Sequence, residues 1–193
     1  MLTVFLIASL VFFNSGVLQA DTHTTSKYAV LEDFDRDSSR MGTSVKNILD
    51  NNQWITAERV NEDASGKPDG KAMLLSYDVA SYQPAVVRFW ITLSGRDLST
   101  FDCLHLSIKS DPAKGGSKNI KIQIIDGEYR RAPYILTGIT HSWKSFQIPF
   151  KKFPRIRNWS AIREITFILD DVYSVPKEGV LFIDEIYVTA GSC

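Results

Sequence analysis

Apolar and polar positions alternate along most of this chain. From Val86 to Leu93 (VVRFWITL), Val87, Phe89, Ile91 and Leu93 fall on one face, and Val86, Arg88, Trp90 and Thr92 on the other. That period of two is the mark of a strand with one buried face. Phe101–Lys109 sets Leu104, Leu106 and Ile108 against Cys103, His105 and Ser107, and Ile120–Ile125 sets Ile120, Ile122 and Ile124 against Lys121, Gln123 and Ile125. In His141–Phe153 (HSWKSFQIPFKKF), Phe146, Ile148 and Phe150 alternate with Ser145, Gln147 and Pro149. Proline cannot donate to a ladder, so this strand ends at Pro149 or lies on an edge. Further strands are expected at Val30–Phe34, Trp54–Val60, Ala72–Val79, Tyr134–Gly138, Ile165–Leu169 and Leu181–Val188. Ser38–Asn52 reads as a loop with a weak helical tendency at Val45–Leu49. Asn61–Lys71, Asp111–Asn119 and Asp170–Gly179 carry turn residues. About ten short strands, without a helical period or an internal repeat, predict an all-β fold, a two-sheet antiparallel jelly-roll sandwich.

The chain has 193 residues, room for one domain. Residues 2–13 are apolar apart from Thr3 and Ser9. This run is too short to span a membrane and suits the core of a signal peptide, with cleavage expected after Ala20. The region before it lacks Lys and Arg, and Leu18 sits at the −3 position, so an uncleaved anchor is the alternative. The expected layout is a signal peptide at 1–20, a flexible lead at 21–29, one β-sandwich domain at 30–190 and a tail at 191–193. It implies a secreted or periplasmic protein with no membrane attachment after cleavage. Export permits disulfides. Cys103 lies within a strand pattern and Cys193 is the last residue; they read as two spare thiols, with a bridge as the alternative if their Cα atoms come within about 7 Å. No cysteine spacing suits a metal.

Lys and Arg number 22, as do Asp and Glu, which argues against a nucleic-acid partner. The charge is unevenly spread. Arg130, Arg131, Lys144, Lys151, Lys152, Arg155, Arg157 and Arg163 form a stretch without an acid. It reads either as a solvated basic face or as a patch for an anionic partner such as an acidic polysaccharide. No catalytic motif accompanies His23, His105 or His141. His105 reads as packed on a strand face. Asp170 and Asp171 are adjacent on a strand and point to opposite faces, so they do not flank one glycosidic bond. A non-catalytic protein is expected, with a polysaccharide hydrolase or lyase as the enzymatic alternative.

The outward positions carry the binding chemistry. If consecutive strands alternate between the two sheets, Arg88, Trp90, Lys121, Gln123 and Gln147 share one outer face. An indole packs on the C–H face of a pyranose while Arg and Gln donate to its hydroxyls. The alternative places Trp90 beneath the Asp126–Tyr134 loop as a second small core. Tyr129, with Arg130 and Arg131, forms a candidate rim.

Leu31–Asp35 (LEDFD), Phe101–Ser110 (FDCLHLSIKS), Trp143–Phe153 (WKSFQIPFKKF), Ile162–Leu169 (IREITFIL) and Leu181–Val188 (LFIDEIYV) occur in an order and spacing that carry a resemblance. From Val30 to Val188 the chain resembles the galactose-binding-like jelly roll of family eleven carbohydrate-binding modules. It is also similar to the complex I intermediate-associated protein family, which shares that fold. The resemblance implies an exported carbohydrate-binding protein, taking a polysaccharide or oligosaccharide on an outer sheet face. The alternative it implies is an assembly or scaffold protein with protein partners. Tyr82 lies near the family's stacking tyrosine. The family's Arg/Asp/Tyr ligand cluster corresponds to Arg155, Arg157, Asn158 and Trp159, with Asn for the acid and Trp for the tyrosine. Leu169 stands where the family has another tyrosine. These departures point away from a β-glucan and towards a charged glycan. The resemblance also implies a structural Ca²⁺ at Asp33, Asp35 and Asp184, which as residues read equally as solvated strand-end acids. Ca²⁺ takes six to eight oxygens, so backbone carbonyls would have to join them.

Overall fold

The structure is a computed structural model describing residues 28–36, 41–46, 52–82, 84–191 and 193. The expected signal peptide and residues 21–27 of the expected lead lie outside the described residues. The described chain forms β1 (Tyr28–Glu32), β2 (Met41–Lys46), β3 (Trp54–Val60), β4 (Ala72–Asp78), β5 (Val86–Arg96) and β6 (Cys103–Ser110). There follow β7 (Asn119–Asp126), β8 (Arg131–Thr137), β9 (Lys144–Pro149), a 3-10 turn at Phe150–Lys152, β10 (Ile162–Asp170) and β11 (Glu178–Thr189). Every pairing is antiparallel. One sheet runs β3-β4-β11-β6-β9, with β1 added beside β11, and the other runs β2-β5-β10-β7-β8. The fold is an all-β antiparallel jelly-roll sandwich, as the alternation predicts.

The core lies between the sheets. Val87, Phe89 and Ile91 of β5 and Leu104, Leu106 and Ile108 of β6 belong to one hydrophobic cluster, all at most 2% exposed. Phe34, Phe89 and Phe167 form an aromatic spine, with ring centroids 6.4 and 6.0 Å apart. Tyr77 is sealed in the same core, and burial pushes its phenol up to about 12. Its hydroxyl accepts from the Ser117 N–H at 2.7 Å and donates to the Pro176 carbonyl at 3.1 Å.

β11 spans two neighbours on one side. Residues 178–183 pair with β4, and residues 186–189 pair with β1. The changeover is a bulge with Glu185 at φ 50°. Asp184 sits there, 1% exposed, accepting the Ala64 N–H at 2.8 Å and the Glu185 N–H at 2.7 Å. Burial raises its carboxyl to about 6 despite those two donors.

The sequence expectations differ from the structure at four places. Met41–Lys46 is not loop or helix but a strand, laid antiparallel on β5 from Met41↔Ile91 to Lys46↔Val86. Tyr28 and Ala29 belong to β1 rather than to a flexible lead. The two cysteines are not spare thiols: Cys103 and Cys193 form a disulfide, with Cα atoms 5.5 Å apart. The β6–β11 register explains this, because Thr189 pairs with Cys103 and the chain needs only to fold back beyond it. The Gly191 N–H also donates to Asp102, which holds the chain beside β6 just before Cys193. Finally, β9 pairs with β6 in the six-stranded sheet. Strict alternation between sheets fails because β8 folds back on β7 as a hairpin and takes the next place in the five-stranded sheet.

Candidate functional site

The site is a trough on the outer face of the five-stranded sheet. Register builds it row by row. Gly42, Trp90, Thr166, Gln123 and Pro133 stand side by side on β2, β5, β10, β7 and β8. Ser44 and Arg88 occupy the next row towards one end, and Glu164, Ile125 and Arg131 the row towards the other. Alternation sends the same strands' Val87, Phe89 and Ile91 inward, so the face that builds the core also presents this polar row. Ser44, Arg88, Trp90, Gln123, Ile125, Tyr129, Arg131, Arg163, Glu164 and Thr166 line a cavity of about 270 Å³.

Trp90 is half-buried, and its six-membered ring lies over Gly42. A Cβ on Gly42 would stand 2.4 Å from Trp90 Cζ2, so the glycine is what lets the indole lie in this position. Thr166 forms part of the floor and donates its hydroxyl to Glu164 Oε1 at 2.5 Å. Arg88 Nε is buried without a hydrogen-bond partner among the described residues.

One wall is the β7–β8 turn. Asp126 is fully buried there and accepts from the N–H groups of Glu128 and Arg130, both at 3.0 Å, and from Arg130 Nε at 2.7 Å. Burial pushes its carboxyl up, but the Arg130 side chain and these N–H donors outweigh it and hold it below the usual range. The clamp sets Tyr129 at φ 61°, where its exposed ring meets the Arg163 guanidinium 4.4 Å from the centroid.

Arg88, Trp90, Gln123 and Tyr129 are therefore brought together, and Trp90 lines an open trough rather than a second core. The other expected residues are elsewhere. Lys121 faces outward on β7 but is bound to Asp170 at 2.6 Å and lies over the Tyr173 ring. Gln147 is exposed on β9, opposite His105, on the other sheet. Arg155 and Arg157 are exposed on the loop before β10 and do not line the trough. Trp159 is no platform: it stacks on Phe150 at 3.8 Å and meets Phe153 edge-on against the core. Tyr82 stands fully exposed on another loop.

Asp33, Asp35 and Asp184 do not assemble, and no group of three or more His, Cys, Asp or Glu suited to a metal occurs among the described residues. Asp35 takes the Lys71 N–H and Lys67 Nζ, Asp33 takes the Asp35 N–H, and Asp184 takes its two N–H groups at the bulge. Asp170 caps the turn after β10, and Asp171 accepts the Ala85 N–H. His105 lies flat on Tyr187 at 4.5 Å and shares a hydrogen bond with Thr189.

The chain has the fold of a family 11 carbohydrate-binding module. Its structure matches the family 11 module of a cellulosomal cellulase of Clostridium thermocellum with a TM-score of 0.64 at 20% identity, covering 86% of this chain and 95% of that one. The Clostridium thermocellum module in complex with a β-1,3-1,4-mixed-linked tetrasaccharide gives the same TM-score and identity, over 85% and 96%. An exo-β-agarase matches at 0.61 and 13%, over 85% of this chain and 25% of its own. No family model matches the sequence, and no curated protein does.

Sequence reasoning did not place Gly42, Ser44, Ile125, Glu164 or Thr166 in the site, and it named Arg163 only within the basic stretch offered to an anionic partner. Their signal is the register between strands distant in sequence, which no local pattern carries.

Proposed function

We propose that this protein is an exported, non-catalytic carbohydrate-binding protein that holds a glycan chain in the trough on its five-stranded sheet. The observation that carries the reading is the convergence of an accessible indole with planar donors on a rigid sheet. Trp90 offers an apolar plane to a sugar ring, and Arg88, Gln123 and Arg131 offer hydrogen bonds to its substituents. The cavity is at the small end for a ligand site, roughly 300 Å³ and upwards, and suits one sugar unit of a longer chain. The shared fold supports the reading by analogy. The disulfide fits an oxidising compartment and so supports export.

The test is a fluorescence titration with soluble oligosaccharides of neutral and acidic type, followed through tryptophan emission. A saturable change that disappears in Trp90→Ala is expected. Binding that survives unchanged in that variant would move the ligand elsewhere. A second reading, docking to a protein partner as a scaffold, is favoured by exposed apolar side chains on two neighbouring loops. Tyr82 lies on one, and Val172, Tyr173 and Val175 on the other, which the Ala85–Asp171 and Val79–Lys177 hydrogen bonds join. A silent glycan panel, together with a stoichiometric complex lost on Tyr82→Ser, would favour it.

A further inference from the structure

We propose that the glycan held in this trough carries an anionic substituent, a carboxylate or a sulfate ester, received by Arg88, Arg131 and Arg163. This rests on the glycan-binding reading and names the chemistry of its ligand. Three guanidinium groups and one carboxylate, Glu164, line the cavity, so the lining carries an excess of positive charge. None of the three arginines is ion-paired among the described residues.

Basic residues just outside the cavity behave differently. Arg130 is neutralised by Asp126 and Glu128, and Lys121 by Asp170. The fold has thus supplied acids to the neighbouring cations and left the trough's own cations open. A buried, charged donor without a partner is costly, and Arg88 Nε is in that position. A neutral hydroxyl offers these three guanidinium groups a hydrogen bond but no countercharge. A carboxylate or sulfate supplies both, and its paired oxygens fit the planar guanidinium fork. Tyr129 fixes Arg163 from one side at 4.4 Å and leaves its edge for a ligand.

The experiment is calorimetric titration of the full chain with oligogalacturonate, a sulfated galactan oligosaccharide and a mixed-linked β-glucan oligosaccharide, at low and at moderate salt. At least one anionic chain should bind tenfold or more tighter than the neutral one, and raising the salt should weaken it. The arm that responds tells carboxylate from sulfate ester. Arg88→Gln and, separately, Arg131→Gln should remove the preference while far-ultraviolet circular dichroism stays unchanged and the melting temperature does not fall. If one variant does not fold, the other decides. Equal or tighter binding of the neutral glucan, or an anionic preference unaffected by both substitutions, overturns this proposal and leaves glycan binding standing. Silence from all three chains overturns both.

Discussion

Removing the disulfide should lower stability by an amount that its loop length sets. Cys103 and Cys193 are 90 residues apart, and closing a loop of that size in the unfolded chain corresponds to about 4.6 kcal/mol at 25 °C. The folded state loses little in return. The β6–β11 ladder already reaches Thr189 opposite Cys103, and Asp102 holds Gly191, so the chain end stays near its partner without the bond. Cys193 is exposed, so Cys193→Ser leaves no cavity. Losses on removing native disulfides run at about 2–5 kcal/mol, and about 3–4.6 kcal/mol is expected here. For a domain of this size that lowers Tm by about 6–18 °C. Urea unfolding followed by tryptophan fluorescence, with and without a phosphine reductant, measures it. Reduced wild type and Cys193→Ser should coincide, and the reductant should not affect the variant further. A loss below about 1 kcal/mol would refute the loop-closure argument. Glycan binding should persist, since the bridge lies on the other sheet.

Other expectations follow from single contacts. Tyr77→Phe leaves the Ser117 N–H and the Pro176 carbonyl without their partner inside the core, and should cost about 2–3 kcal/mol in urea unfolding. Gly42→Ala should displace the Trp90 indole, weakening glycan binding at least tenfold in the fluorescence titration, with a small change in stability because β2 is an edge strand. Asp184, with its carboxyl raised to about 6, binds a proton in the folded state that the unfolded chain releases nearer pH 4. Its contribution is present at low pH and fades as pH rises through 6, a difference of roughly 2–3 kcal/mol. Comparing urea midpoints of wild type and Asp184→Asn at pH 4.5 and 7.5 isolates it. The variant should gain relative stability at the higher pH, and an equal difference at both would count against the burial argument.

The fold was legible because most strands carry their burial in a strict alternation, as Val87, Phe89 and Ile91 do. β2 was not, because MGTSV has a glycine and few apolar residues, and its pairing with β5 is decided by the neighbouring strand. Arg88, Trp90 and Gln123 were legible as outward side chains, and Tyr129 as the rim of a loop. Gln147 was misplaced because a hairpin between β7 and β8 cannot be told from a crossover by periodicity. Trp159 was misplaced because an aromatic in a loop looks the same whether it faces a ligand or, as here, Phe150. The disulfide depends on the distance between two strand ends, a quantity set by register. Glu164 was invisible, and Arg163 legible only as one member of a basic stretch, for the same reason: β10 lies between β5 and β7, far from both in sequence.

Both ends of the described chain are anchored to the six-stranded sheet, Tyr28 opposite Thr189 and Cys193 bonded to Cys103. The trough occupies the outer surface of the opposite sheet. A group joined to the chain at Tyr28 or at Cys193 would start from the six-stranded sheet, across the sandwich from the trough. Attachment at these two residues leaves the face that carries Trp90 turned towards the surrounding solution.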